Sequence, residues 1–173
     1  DGRIAIITMN RPDRLNASDP GMAQRWVEAW TTFADDENCW VAIVTGTGDR
    51  AFSAGQDLRI RADLEEEGGD APYRHRRPTV VPIGEKLGCW KPTIAAINGY
   101  AIAGGWSVAQ HCTFRIAAEH AEMNIAEARW NQGAGFVATL TRLVGIGTAL
   151  EFCIMADRRF TAQRAYEVGL VNK

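Results

Sequence analysis

The stretch with the greatest chemical potential is Ile97-Asn98-Gly99-Tyr100-Ala101-Ile102-Ala103-Gly104-Gly105-Trp106-Ser107, an apolar strand that passes through a glycine into a glycine pair and then an apolar helix. What such a junction offers is backbone. Paired glycines let the main chain pass where a Cβ would clash, and the first N–H groups of the helix have no intrahelical acceptor. With the positive end of the helix dipole behind them, those donors suit an oxygen that gains negative charge. Tight helix–strand packing explains the same glycines, and this stretch alone does not choose between the two. Gly46-Thr47-Gly48-Asp49-Arg50 lacks the Gly-Lys-Ser/Thr ending of a phosphate-binding loop and reads as a turn. Ala51-Phe52-Ser53-Ala54-Gly55-Gln56-Asp57-Leu58 reads as a loop in which Asp57 caps a helix. His75, His111 and His120 have no metal-ligand spacing, so no metal site is expected. The basic cluster Arg74-His75-Arg76-Arg77-Pro78 could meet phosphates, but a solvated face is the commoner explanation for such a run.

The elements that must position these residues follow from hydrophobic period. Arg3 to Met9 reads as a strand closed by a turn at Asn10-Arg11-Pro12-Asp13. Ser18-Asp19-Pro20 supplies an N-cap and an early-turn proline, and Met22, Trp26, Val27, Trp30 and Phe33 then recur at helical spacing. Trp40 to Thr45 is a continuous apolar run bounded by glycine, as expected of a buried strand, so the opening reads as strand, helix, parallel strand. Residues 59–88 change character, with Glu65-Glu66-Glu67 and the basic cluster on either side of Gly68-Gly69. Beyond the central glycines, Phe114-Arg115-Ile116-Ala117 and Glu122-Met123-Asn124-Ile125 read as short strands, and residues 136–144, 147–157 and 162–168 as helices.

A chain of 173 residues, 46% hydrophobic and 23% charged with a net charge of −2, fits one globular α/β domain over residues 1–173. Bulk charge makes no case for nucleic acid. The apolar stretch Thr93 to Gly105 is too short for a bilayer, the N-terminal residues do not resemble a secretory signal, and Cys39, Cys89, Cys112 and Cys153 are widely spaced. The expectation is a cytoplasmic protein with reduced thiols and no membrane span.

Asn10-Arg11-Pro12 with Asn16-Ala17, then Phe52-Ser53-Ala54-Gly55-Gln56-Asp57-Leu58, then Ala96-Ile97-Asn98-Gly99-Tyr100 with Ala103-Gly104-Gly105, then Gly169-Leu170-Val171, resembles in order the crotonase superfamily of enoyl-CoA hydratases and isomerases. The resemblance implies a spiral of ββα units, binding of an acyl-CoA thioester, and assembly as a homotrimer or hexamer. It also implies no prosthetic group, with coenzyme A entering as part of the substrate. In the family two backbone N–H groups hold the thioester oxygen, and their positions here are Gln56 and Gly104. The stretch Ala54 to Leu58, Asp57 included, corresponds to the lining of the adenine and pantetheine path, and Arg14 to a position near the CoA phosphates.

Hydratases of the family carry two glutamates, and here the first position is Ser107 and the second Glu127. A serine hydroxyl can hold a water but is no base near neutral pH, so Glu127 is expected to act alone as acid and base. Single-glutamate relatives include the Δ3,Δ2-enoyl-CoA isomerases and the hydroxycinnamoyl-CoA hydratase-lyases. The latter resemble Gly104-Gly105-Trp106-Ser107 and Glu127 with Trp130, but the tyrosine they use is missing from Arg59-Ile60-Arg61-Ala62. Residues 131–140 lack the aspartate nucleophile of dehalogenase members. The alternative is a non-catalytic member that binds CoA esters, or RNA through Arg74 to Arg77. Relatives continue past Gly169-Leu170-Val171 with helices, so the chain is expected to be incomplete at its C-terminus.

Overall fold

The computed structural model describes residues 2–60, 89–130 and 133–173. Strand β1 (Ile4–Met9) leads through a 3₁₀ turn (Pro12–Arg14) to helix α1 (Pro20–Asp35), then β2 (Val41–Gly46) and β3 (Ala51–Ser53). After them come β4 (Thr93–Ile97), β5 (Tyr100–Ile102), α2 (Gly104–His111), β6 (Phe114–Ala117), β7 (Glu122–Asn124), a 3₁₀ turn (Glu127–Trp130), α3 (Val137–Ile154), β8 (Phe160–Thr161) and α4 (Ala162–Glu167). The expected opening unit is present, with β1 and β2 parallel and α1 between them in sequence. Asp19 caps α1 by accepting from the Met22 N–H at 2.6 Å, as the Ser18-Asp19-Pro20 signature predicts.

Strands alternate between two sheets, ordered β1-β2-β4-β6 and β3-β5-β7-β8, and all neighbours are parallel except β7 with β8. β2, β4 and β6 of the first sheet each turn a corner and continue in the second as β3, β5 and β7, whereas β1 leads into α1. With the helix that follows β4 and β5, this alternation matches the spiral of ββα units that the family resemblance implies. Two expectations change as a result. The run Ile97 to Ile102 is not one strand, because Asn98-Gly99 is a corner between β4 and β5, and the Asn98 side chain bonds both the N–H and the carbonyl of Gly46. The Ala51 to Leu58 loop begins with a short strand, β3, too brief to show any period.

The core lies between the sheets and helices. Trp26, Trp30 and Phe33 of α1 stack edge to face at 5.5 and 5.7 Å, and Trp106, Phe152 and Phe160 make a second cluster at 5.4 and 4.6 Å. Each such buried ring stabilises the fold by about 3 kcal/mol or more relative to alanine. β2 is not buried on both faces as its apolar run suggests. Ala42, Val44 and Gly46 are buried while Val41, Ile43 and Thr45 are half-covered, because the outer face of the first sheet also carries the exposed Ile4, Ile6, Phe114 and Ile116.

Val137–Ile154 has the length and composition of a membrane span, but Gly145 sits at φ 74, ψ 164 and breaks it into two pieces too short to cross a bilayer. The Gly169-Leu170-Val171 stretch is tied down beside β6. Leu170 and Val171 are buried, and the Arg115 guanidinium donates to the carbonyls of Leu170 at 2.7 Å and Cys112 at 2.8 Å. All four cysteines are free.

At Gly105 the sequence has no alternative. A Cβ there would stand 2.1 Å from the backbone oxygen of Ser53, so α2 can lie against β3 only with glycine at this position. Gly105→Ala is expected to destabilise the protein by about 2–3 kcal/mol in denaturant unfolding, the cost of overpacking against backbone that cannot retreat.

Candidate active site

β3, β5 and β7 are adjacent and parallel, with Ser53 beside Ala101, Ala101 beside Met123 and Ile102 beside Asn124. Their C-terminal ends therefore open on one edge of the second sheet, the place where sheets of this kind bind ligands. Gln56 lies just past the end of β3, Gly104 just past β5, and Glu127 just past β7. Residues separated by 71 positions in sequence are thereby delivered to the same edge.

Gly55 and Gly104 bring the first two chain segments into contact. Gly55 adopts φ +88, and a Cβ on it would lie 2.9 Å from the Gly104 nitrogen. A Cβ on Gly104 would in turn lie 3.5 Å from Gly55 Cα and 3.9 Å from the Gln56 nitrogen. The backbone nitrogens of residues 56 and 104 are thus near neighbours. Gly104 opens α2, where first-turn N–H groups point out of the helix. Gln56 forms a parallel bridge with Ser18, in which the Ser18 N–H donates to Gly55 O at 2.7 Å and the Asp57 N–H donates to Ser18 O at 3.0 Å. That pattern turns Gln56's own N–H to the side away from Ser18. Before α2, Ala103 holds φ 53, ψ −121, a strained conformation for a residue with a Cβ and one that recurs at functional turns. Its N–H donates to Asn124 O at 2.9 Å, which joins the end of β5 to the end of β7.

Glu127 starts the 3₁₀ turn after β7 and is half-buried. Burial raises its carboxyl above the ordinary carboxylate value, opposed only by a bond from its own N–H. One carboxyl oxygen, Oε2, is buried without a hydrogen-bond partner among the described residues. Ser107 is half-buried one turn into α2, and its carbonyl accepts from His111 Nδ1 at 2.7 Å. Cys153 of α3 lies within reach of the Glu127 charge, which adds to the burial that raises the thiol.

The remaining sequence candidates divide. Leu58 is exposed and Ala54 half-buried, and Arg14 is exposed next to Leu15, whose carbonyl accepts from the Ala54 N–H at 2.9 Å. These residues form one accessible rim. Asp57 instead is nearly buried, with its carboxylate 3.0 Å from the Arg11 guanidinium and 3.2 Å from the Arg59 N–H. Trp106 belongs to the core, fully buried with its indole N–H bonded to Gln110 Oε1 at 2.9 Å, while Trp130 is exposed. Arg61, Ala62, Glu65 to Glu67, His75 and the cluster Arg74 to Arg77 lie outside the described residues. Among the described residues no three His, Cys, Asp or Glu side chains converge as a metal set.

A set of polar residues that sequence reasoning passed over holds this edge together. Asn16, at φ 54 and buried, donates to the carbonyls of Thr47 at 3.0 Å and Ala51 at 2.7 Å and accepts from the Arg11 N–H at 3.0 Å. The Ser53 hydroxyl donates to Asn16 O at 2.9 Å and accepts from the Gly55 N–H at 3.1 Å. The signal was the Asn-Arg-Pro turn itself, but nothing local shows that its partners lie 31 to 46 residues onward.

The chain also has relatives among known proteins. The sequence profile of the enoyl-CoA hydratase/isomerase family matches residues 1–173. The chain is 32% identical over 171 residues to the (E)-benzylidenesuccinyl-CoA hydratase of Thauera aromatica, covering 98% of this chain and 65% of that protein. It is 36% identical over 176 residues to the carnitinyl-CoA dehydratase of Salmonella arizonae, covering 100% and 65%. A crystal structure of an enoyl-CoA hydratase/carnithine racemase from Magnetospirillum magneticum superposes with a TM-score of 0.87 at 30% identity, covering 99% of this chain and 64% of that one. The chain thus spans somewhat under two thirds of the length of these relatives. With its full span matched and its two-sheet spiral shared, the chain belongs to the enoyl-CoA hydratase/isomerase family.

Proposed function

We propose that this chain carries the reaction centre of an acyl-CoA enzyme that hydrates or isomerises an enoyl thioester. The observation that supports this most is the packing of Gly55 against Gly104, which sets the backbone nitrogens of Gln56 and Gly104 side by side at the edge that also receives Glu127. Taking a proton from C2 of a thioester, or adding water across its C2–C3 double bond, puts negative charge on the thioester oxygen. Two N–H donors stabilise that charge, each by about 3 kcal/mol in the transition state. Glu127 moves the proton. Its raised carboxyl lies nearer to neutral than an exposed glutamate, which suits a group that must both take and return a proton. Isomerisation needs only this one group, lifting a proton from one carbon and returning it two carbons away. Hydration also needs a held water, and Ser107, in the first turns of the helix that Gly104 opens, supplies a hydroxyl that can hold one by hydrogen bonds. Coenzyme A arrives with the substrate, along the rim of Arg14, Ala54 and Leu58, and no prosthetic group is required. Two relatives are named as a CoA-ester hydratase and a CoA-ester dehydratase, which favours the hydration branch.

The test is turnover of 2-enoyl-, 3-enoyl- and hydroxycinnamoyl-CoA followed at the thioester absorbance. Conversion of a 2- or 3-enoyl-CoA supports the proposal, and inertness toward all three, with CoA esters still bound, makes the protein a binding member of the family. Ser107→Ala is expected to lose about tenfold to a hundredfold in hydration and little in isomerisation, because a water-holding hydroxyl serves only the first reaction. Equal loss in both would make the hydroxyl part of the pocket wall.

A further inference from the structure

We infer that Arg11 is a positioning residue for the oxyanion site, acting through the loop that carries Gln56. This rests on the reading of Gln56 and Gly104 as the thioester-binding donors. The Arg11 guanidinium reaches two carboxylates at once, with Nε 3.1 Å from Asp19 Oδ2 and Nη2 3.0 Å from Asp57 Oδ2, and Nη1 donates to the carbonyl of Ala17. Asp19 in turn caps α1 through Met22 N, and Asp57 caps the helical turn that begins at Leu58 through Arg59 N. One cation thereby ties two helix starts together, and Gln56 lies between its anchors. Ser18 holds Gly55 O at 2.7 Å and the Asp57 N–H at 3.0 Å, so the peptides on both sides of Gln56 are bonded to a segment that Arg11 fixes at Ala17 and Asp19.

The geometry makes Arg11 more than a surface ion pair. The side chains of Arg11, Asp19 and Asp57 are only 20%, 25% and 9% exposed. A planar fork satisfies two carboxylates and a carbonyl together, which the point charge of a lysine cannot do. Without Arg11, Asp57 is left as an uncompensated, nearly buried charge, and it relaxes toward water. Its backbone is the residue next to Gln56. A shift there of well under the length of a hydrogen bond is felt first by the Gln56 donor, and misplacement of this size in a catalytic group can cost about a hundredfold.

Arg11→Gln is therefore expected to lower kcat by about tenfold to a hundredfold with KM within about threefold, and Arg11→Lys to recover part of the loss. Fold is checked by thermal unfolding, and Asp57→Asn, which removes the same contact from the other side, replaces Arg11→Gln should that variant not fold. The decisive readout is spectroscopic. A 2,4-dienoyl-CoA bound to a Glu127→Gln background absorbs at longer wavelength when its thioester oxygen accepts strong hydrogen bonds. Loss of most of that red shift on adding Arg11→Gln, with the ester still bound, supports the inference. A red shift unchanged by Arg11→Gln overturns it and leaves the oxyanion reading standing. Absence of the red shift in the background itself, with ester bound, overturns the oxyanion reading and this inference with it.

Discussion

Glu127→Gln is expected to lower kcat on the best enoyl-CoA substrate by at least about a thousandfold while leaving CoA-ester affinity within a few fold. The amide keeps the shape and the hydrogen-bonding reach of the carboxylate but cannot take a proton. No other carboxylate occupies the matching first position, which is Ser107, so no second base replaces it. Burial gives the same variant an opposite effect on stability. The folded-state carboxyl is held above its ordinary value, so the folded protein binds that proton more tightly than the unfolded chain. Stability from this group is therefore full below the unfolded value and is lost as pH rises through the folded one. As pH rises toward neutral, holding the ionised form of Glu127 half-buried, with Oε2 lacking a partner among the described residues, becomes a cost. Glu127→Gln should accordingly melt higher than the parent at neutral pH, and the gap should narrow in acid. The parent's kcat/KM should fall as pH drops through the raised carboxyl value, because the base is then protonated. A kcat within tenfold of the parent in a folded variant would refute the single-glutamate mechanism, and a flat acid limb would argue that Glu127 is not the titrating base.

Gly104→Pro is expected to take turnover down by about a hundredfold to a thousandfold, the usual cost of one oxyanion donor. Proline is tolerated in the first turn of a helix, and Gly104 is the first residue of α2, so the helix can persist without that N–H, although the ring also disfavours the φ 53, ψ −121 conformation of Ala103 before it. Gly104→Ala is the matched control. It keeps the N–H, and its Cβ would make only ordinary contacts, 3.5 Å to Gly55 Cα and 3.9 Å to Gln56 N. A large gap between the proline and alanine variants, with circular dichroism unchanged, assigns the loss to the donor. Equal activity of the two would place the thioester oxygen elsewhere.

Much of the local structure was legible because its causes are local. Asp19 before Pro20, the helical recurrence of Met22, Trp26, Trp30 and Phe33, and the glycines before Trp106 each act within a turn or two of chain, and each appears in the structure as an element or a cap. The short strands β3, β5 and β8 were not legible as strands, since two or three residues carry no period, and their pairing is set by neighbours far along the chain. The outer face of the first sheet shows the same limit from the other side. Residue type makes Val41 and Ile43 apolar, but only the fold decides that the face they share with Ile6 and Phe114 is left half-covered.

For the site, the sequence by itself supplied the identities: a glutamate among apolar neighbours, a serine in place of a second one, glycines at two junctions, and four motifs in a family's order. Tertiary structure alone brought Gln56, Gly104 and Glu127 to one edge, because that placement depends on the parallel register of β3, β5 and β7. It also decided what the charged residues do. Asp57 reads locally as a helix cap, yet its carboxylate is also bound by Arg11, 46 residues earlier. The physical reason is common to both cases. A side chain's type and its near neighbours are written in the sequence, whereas its burial and its counter-charge come from segments that meet only when the spiral closes.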